Sequence, residues 1–298
     1  MSISLERALR VEPAVRPQRS LTVLALSRLF RNRLALAGLL VLGLLIVSAV
    51  LAPHLTPYEP TDMNIASRFE PPSWQHLMGT DQFGRDIFTR ILYGGRVSLT
   101  VGIIAVGVSA LLGTIIGLTS GYFGGWWDLA VSRVMDVLFA FPAVLLAIAI
   151  MAVLGQSITN VMIAIGIVNT PIFARVTRAS ALGTRIQLFV QSAEAIGGSS
   201  WHIIVRHVLP NGLPPLVVQT TVAFAWAVIA EAALSFLGLG TRPPTPSWGL
   251  MLNEGRNVME YAPWEPVFSG LAIMITVFSL NALGDGLRDA LDPTTRAH

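Results

Sequence analysis

The sequence predicts an all-α, polytopic membrane protein with six transmembrane helices, and three observations predict it. The 298 residues are 53% hydrophobic and only 12% charged, outside the range of ordinary soluble domains. Uncharged apolar runs recur at the length that a hydrocarbon core demands, roughly 20 helical residues. Arginines gather on one side of the topology these runs generate, as the positive-inside rule requires.

Residues 1–33 are polar and read as a cytoplasmic tail. They are too long for the n-region of a cleaved signal peptide, and the run that follows is a full span. Leu21, Leu24, Leu29 and Phe30, with Arg28, Arg31 and Arg33, suggest that the end of this tail lies along the membrane surface. Residues 34–53 form the first span, and residues 54–96 an extracytoplasmic loop. A membrane core follows over residues 97–284. Its first uncharged run, residues 97–127, exceeds one span, so residues 121–127 are read as the turn that ends it. Residues 137–174 cross twice, with Gly155, Gln156, Ser157 and Asn160 supplying the turn. The last two runs are residues 213–240, interrupted by Glu231, and residues 266–284. Residues 285–298 form a second cytoplasmic tail.

Pro142 and Pro171 remove backbone donors within apolar helices and predict kinks. Gly113, Gly117 and Gly121 recur every four residues and make a smooth face for close helix approach.

Six spans place both termini on one side. With that side inside, the cytoplasm receives Arg7, Arg10, Arg16, Arg19, Arg28, Arg31, Arg33, Arg133, Arg175, Arg178, Arg185, Arg206, Arg288 and Arg296. Only Arg68, Arg85, Arg90, Arg96, Arg242 and Arg256 lie outside. The dispersion of these arginines around apolar runs forms no basic stripe and excludes nucleic acid as a partner, leaving the lipid bilayer.

All basic residues are arginine, and cysteine is absent. A Walker A phosphate loop lacks its Lys, and Schiff-base lysines, thiolate nucleophiles, cysteine-ligated metals and disulfides are excluded. No catalytic residue is expected. His202 and His207 are five apart, a spacing that separates them on an α-helix, and His54 and His76 are scattered loop residues, so no metal site is expected either.

Residues 185–210 connect the fourth and fifth runs and read as two short helices. Phe189, Ala193 and Ile196 line one face of the first, and Trp201, Ile204, Val205 and Val208 one face of the second. Gly197 and Gly198 allow a sharp turn between them, Ser199 or Ser200 caps the second helix, and Pro210 stops it. Such an elbow can be gripped from outside, or can rest on lipid headgroups. Before the second span, Asp86 and Arg90 are spaced as an i, i+4 pair, with Ile87 and Ile91 on an apolar face of an elbow helix, read as positioning that span in preference to touching the solute directly. Glu231, alone among apolar residues, must face protein or water: it either borders a translocation path or locks helices together. Asp285, Arg288, Asp289 and Asp292 cluster after the last run and anchor a helix end.

The segment around Gly197 resembles the EAA loop of bacterial ABC-importer permeases, in which Glu-Ala-Ala is followed after three residues by Gly and, after nine more, by an apolar residue, any residue and Leu-Pro. Gly197, Leu209 and Pro210 fall on the pattern, whereas Gln191, Ser192 and Ala193 stand at the Glu-Ala-Ala positions and His207 at the apolar one. Glu194 lies beside the family position. Three further segments resemble the dipeptide, oligopeptide and nickel permeases, specifically the C-type subunit. They are the stretch from Leu77 through Asp81, Gly84, Arg85, Asp86 and Arg90 to Leu99, the Glu231 to Gly240 stretch, and the Asn281 to Pro293 stretch.

The resemblance implies a type I ABC-importer permease fold, with a coupling loop at residues 185–210 contributed by Gln191, Ser192, Ala193, Glu194, Gly197, Gly198, Trp201, Leu209 and Pro210. It also implies a homologous second permease, two ATPase subunits or one fused ATPase, and an extracytoplasmic solute-binding protein. ATP and Mg belong to the ATPase partners, and this chain binds no cofactor. Peptides, nickel chelates and glutathione are the implied solutes, and the bacterial cytoplasmic membrane the location. An ion-gradient-driven carrier is the alternative, but such carriers gather several ionisable groups at the midplane, where only Glu231 stands out.

Overall fold

The computed structural model describes residues 21–291. The described chain is almost wholly helical, and five helices are long and apolar enough to cross a membrane. The expected tail falls partly outside the described residues, but Leu21–Arg31 forms a helix (α1). Leu29 is buried against Ala35 and Ala290, which ties α1 to the end of the last helix, while Phe30 is exposed. The side chain of Asn32 accepts from the amides of Leu34 and Ala35, both at 3.1 Å, and so starts the first span, α2 (Arg33–Val50). A short α3 (Ala52–Leu55) ends it.

The second span, α4 (Ile87–Phe123), is 37 residues long, about 55 Å at the helical rise. The elbow helix expected before it is the first part of this same helix. Gly94 and Gly95 do not break it because they are packing positions: a Cβ at Gly95 would lie 3.1 Å from the Trp248 ring. Gly124, at φ +66°, ends α4 within the expected turn, and α5 (Gly125–Phe139) follows.

The third crossing is broken. α5 and α6 (Ala143–Leu154) meet at 93°. Pro142 has no amide to offer and biases Phe141 away from helical geometry, so the uncharged run beginning at residue 137 is divided here rather than forming one rod. Counted together, the bent pair makes the sixth span. Gly155 then turns at φ +82°, and Ser157 accepts from the amide of Asn160 at 3.1 Å to start α7 (Ile158–Arg185). α7 continues through Pro171 without a break.

Gly113, Gly117 and Gly121 form the seam between α4 and α7. A Cβ at Gly113 would lie 2.7 Å from the Thr170 carbonyl oxygen, and one at Gly121 2.7 Å from that of Arg178. These contacts show why larger residues are excluded. Val101, Ala105, Val161, Ile165, Phe173, Ala227 and Leu234 build the central core where α4, α7 and α10 (Leu209–Phe236) meet. α11 (Trp248–Arg256) covers the far end of α10, and α12 (Trp264–Leu291) runs back along α2 and α10. α12 extends past the expected end of its span, and Asp285, Arg288 and Asp289 are exposed on its last turns. Asp292 lies outside the described residues.

Candidate functional site

The connection between α7 and α10 starts with α8 (Leu188–Ala195). Its end is a left-handed glycine cap: the Gly198 amide donates to the Ala193 carbonyl at 2.9 Å and the Gly197 amide to that of Glu194 at 3.0 Å, with Gly197 at φ +85°. The two glycines are required for different reasons. A Cβ on Gly197 meets no atom within 4 Å, so its constraint is conformational, whereas one on Gly198 would lie 2.7 Å from the Ala193 oxygen. Ser199 caps α9 (Ser200–Ile203), accepting from the His202 amide at 3.4 Å.

Pro210 does not stop this second helix. α9 passes through a π-helical turn, Ile204–Val208, directly into α10. Pro210 sits in the first turn of α10, where a missing donor is tolerated. The π turn also corrects the reading of the two histidines. Its i to i+5 bonding stacks residues five apart, so the His202 and His207 rings meet with centroids 6.1 Å apart. The buried faces differ in part from the expected ones. Val190, Ile203, Ile204 and Val208 are buried against Leu118, Tyr122 and Ala181, at the ends of α4 and α7. Phe189, Ile196, Trp201 and Val205 are exposed, Ile196 at 88% and Trp201 at 61%.

Glu194 turns inward and accepts from the Tyr122 hydroxyl at 2.9 Å, joining the elbow to the end of α4. Gln191 bonds only locally, donating to the Ile186 carbonyl at 3.3 Å, and Ser192 is exposed. The elbow is therefore pinned along its inner side to two membrane helices and presents apolar side chains outward.

Glu231 sits where α4, α10 and α11 meet. It is 1% exposed and accepts from the hydroxyls of Ser98 at 2.8 Å and Ser235 at 2.7 Å. The Trp248 amide in turn donates to the Ser98 oxygen at 3.4 Å. These bonds tie α10 to α4 and, through Ser98, to α11.

The same end of the bundle, away from the elbow, carries an ion-pair cluster that also joins α4 to α11. Asp86 does not pair with Arg90. It caps α4, accepting from both the amide and the hydroxyl of Thr89 at 2.7 Å, and its other oxygen lies 2.9 Å from Nδ1 of His76. Capping points the Asp86 carboxylate along the helix axis, away from the residue one turn on. Arg90 instead donates to Glu254 at 2.7 Å and to the Pro60 carbonyl at 3.3 Å. Arg85 donates to the same Glu254 oxygen at 3.0 Å and also pairs with Asp81. Gly84 turns at φ +72° against the Asn64 backbone, which lets the Asp81 carboxylate accept from the amides of Phe83 at 2.8 Å and Arg85 at 3.0 Å. Ile87 and Ile91 are buried with Trp248 and Met251.

Glu265 adjoins this cluster without a side-chain bond of its own among the described residues: carboxylate oxygens of Asp81, Glu254 and Glu265 lie within 4.8 Å of one another. Two guanidiniums share the space, so its chemistry is that of an ion-pair network. Glu254 and Glu265 were missed in the sequence because they stand more than 150 positions from the α4 motif, and His76, read as a scattered loop residue, joins the site through Asp86. Only the isolation of Glu265 beside an apolar run signals it.

Residues 113–297 match the family of binding-protein-dependent transport system inner membrane components. Residues 20–72 match the N-terminal transmembrane domain of oligopeptide transport permease C. The dipeptide transport system permease protein DppC of Alkalihalophilus pseudofirmus is 47% identical over 273 residues, covering 92% of this chain and 90% of the relative. The glutathione transport system permease protein GsiD of Escherichia coli is 47% identical over 267 residues, covering 89% and 88%. A solved structure of the MetNI methionine ABC transporter superposes with a TM-score of 0.55 over 68% of this chain and 96% of that one, at 15% identity, and shares the fold. With a type I importer fold and matches across both its N-terminal segment and its core, the chain belongs to the binding-protein-dependent ABC-importer permeases, in the C-type peptide-permease branch.

Proposed function

We propose that this chain forms half of the translocation pathway of an ATP-driven importer of short peptides, with glutathione or a nickel chelate as related solutes. The names of relatives 47% identical to it, a dipeptide and a glutathione permease, support that solute class. A homologous permease supplies the other half, and two ATPase subunits or one fused ATPase supply ATP and Mg chemistry. An extracytoplasmic binding protein delivers the solute. The chain lies in the cytoplasmic membrane of a bacterium with both termini inside, an orientation supported by its arginine distribution.

The observation that carries the reading is the two-sided elbow. Its outer side offers Leu188, Ile196, Trp201 and Val205, exposed between 58% and 88%, to a partner. Its inner side grips α4 through the Tyr122 to Glu194 bond and the Val190, Ile203 and Val208 packing. Movement of an ATPase gripping the outer side is thus passed to α4, α7 and α10. The Glu231 lock weakens the ion-gradient alternative, since its acceptors are already taken by serines.

Affinity purification of the tagged chain from cells expressing the whole operon tests the reading. An ATPase and a second permease should be recovered with it. Trp201→Asp should lose the ATPase while keeping the second permease; equal recovery of both from that variant refutes the role given to the elbow.

A further inference from the structure

The 93° bend between α5 and α6 opens a cavity of 180 Å³ lined by Phe139, Phe141, Asn169, Gln219 and Trp226. Its walls are apolar and no charged side chain lines it. Yet Asn169 is 2% exposed, and its Nδ2 has no hydrogen-bond acceptor among the described residues. A buried amide donor left unmade is costly, and groups of this kind call for a partner that the chain itself does not supply.

A second set of donors points to the same space. α6 is 12 residues long and starts at Pro142, and no side chain caps its first turn. Among the described residues, the first amide of this turn to find an acceptor is that of Leu146, to the Pro142 carbonyl at 2.9 Å. Ala143, whose amide precedes it, lines the cavity. The free N–H groups and the positive end of the helix dipole favour an oxygen acceptor there.

A charged pair adjoins the cavity. Beside it on α7 and α5, Arg175 stacks over the Phe139 ring at 4.2 Å and pairs with Asp136 at 3.4 Å. The Arg175 and Asp136 side chains are 61% and 55% exposed. The arginine distribution places Arg175 on the cytoplasmic side, so these charges bring the cavity close to water.

We propose that this cavity is a solute-contacting segment of the import pathway, where Asn169, Gln219 and the α6 amides bind a backbone carbonyl of a short peptide while Phe139, Phe141 and Trp226 take an apolar side chain. The carbonyl is favoured over a carboxylate because the cavity has no cation of its own and Arg175 is already paired. The inference rests on the importer reading above.

The whole transporter, reconstituted in proteoliposomes with its binding protein and dialanine as probe, provides two tests. The chain has no cysteine, so Gln219→Cys can be labelled alone in it. A water-soluble methanethiosulfonate should label Gln219→Cys at least about tenfold faster than Leu40→Cys on α2, 64% exposed on an apolar helix face. Equal rates overturn the proposal. Asn169→Leu, which keeps the bulk and removes the donor, should lower dialanine uptake about fivefold to tenfold. The variant should still recover the second permease and the ATPase in wild-type yield on affinity purification, and dialanine should protect Gln219→Cys from the methanethiosulfonate in the complex with Asn169 but not in the one with Asn169→Leu. Unchanged uptake, or equal protection in both, overturns the proposal. If the wild type keeps its stimulated ATPase but imports no dialanine, the peptide reading fails on its own, and the labelling rate still decides whether the cavity faces the pathway.

Discussion

Glu254→Ala probes the ion-pair lock that joins α11 to the start of α4. Glu254 is the shared acceptor of two buried guanidiniums, Arg85 at 3.0 Å and Arg90 at 2.7 Å. The arginine side chains are 2% and 0% exposed, so water does not replace the lost carboxylate. Removing one partner of a buried pair costs about 3–5 kcal/mol, because the charge left behind stays desolvated. The two arginines are not stranded equally. Arg85 keeps its pairing with Asp81, whereas Arg90 is 3.7 Å from that carboxylate and its Nε has no bond partner. The cost should therefore fall mainly on Arg90, and Arg90→Met in the Glu254→Ala background should restore stability by about 1–3 kcal/mol, the range seen for coupled neighbours. Denaturant unfolding of the purified complex in mild detergent measures both. A loss under about 1 kcal/mol for Glu254→Ala, or additive effects in the double variant, would refute the assignment.

Three further outcomes follow from the geometry. Gly117→Leu forces a side chain onto the Ala174 carbonyl in the α4–α7 seam, so overpacking of about 1–3 kcal/mol or more should lower the yield of folded protein in size-exclusion profiles. Gly197→Ala meets no steric obstacle but must hold φ +85°. It should cost about 1–2 kcal/mol of local order, visible as faster amide exchange in residues 194–203, and should reduce coupling of ATP hydrolysis to transport; full coupling with unchanged exchange would contradict the role of the cap. Glu231→Leu leaves the Ser98 and Ser235 hydroxyls without their acceptor, for a loss of about 2 kcal/mol or more, while Glu231→Gln, which keeps one carbonyl acceptor, should lose about 1 kcal/mol. Thermal unfolding of the two variants should rank in that order.

Pattern alone reached the parts of this protein that depend on period and composition. A helix in lipid must satisfy its own backbone, so length and apolarity are nearly sufficient to place it. The glycine seam at Gly113, Gly117 and Gly121 was legible because small residues at one helical spacing have few uses in a membrane. The elbow was legible as two helices around Gly197. Its faces were not, because the buried side is set by where the ends of α4 and α7 meet the elbow, and because the π turn changes the period over Ile204–Val208.

The sequence by itself determined that the chain is a bundle of membrane helices, that it holds no phosphate loop, and that a helical elbow lies between two spans. Those are local properties, decided by residue type and spacing along one segment. Only the tertiary structure decided the partners of Asp86, Arg90, Glu194 and Glu231. Asp86 is spent on a cap, Arg90 reaches Glu254 across 164 positions, and Glu194 meets Tyr122 across 72. A buried charge is settled by whichever opposite group the fold brings within reach, and no period in the sequence records that meeting.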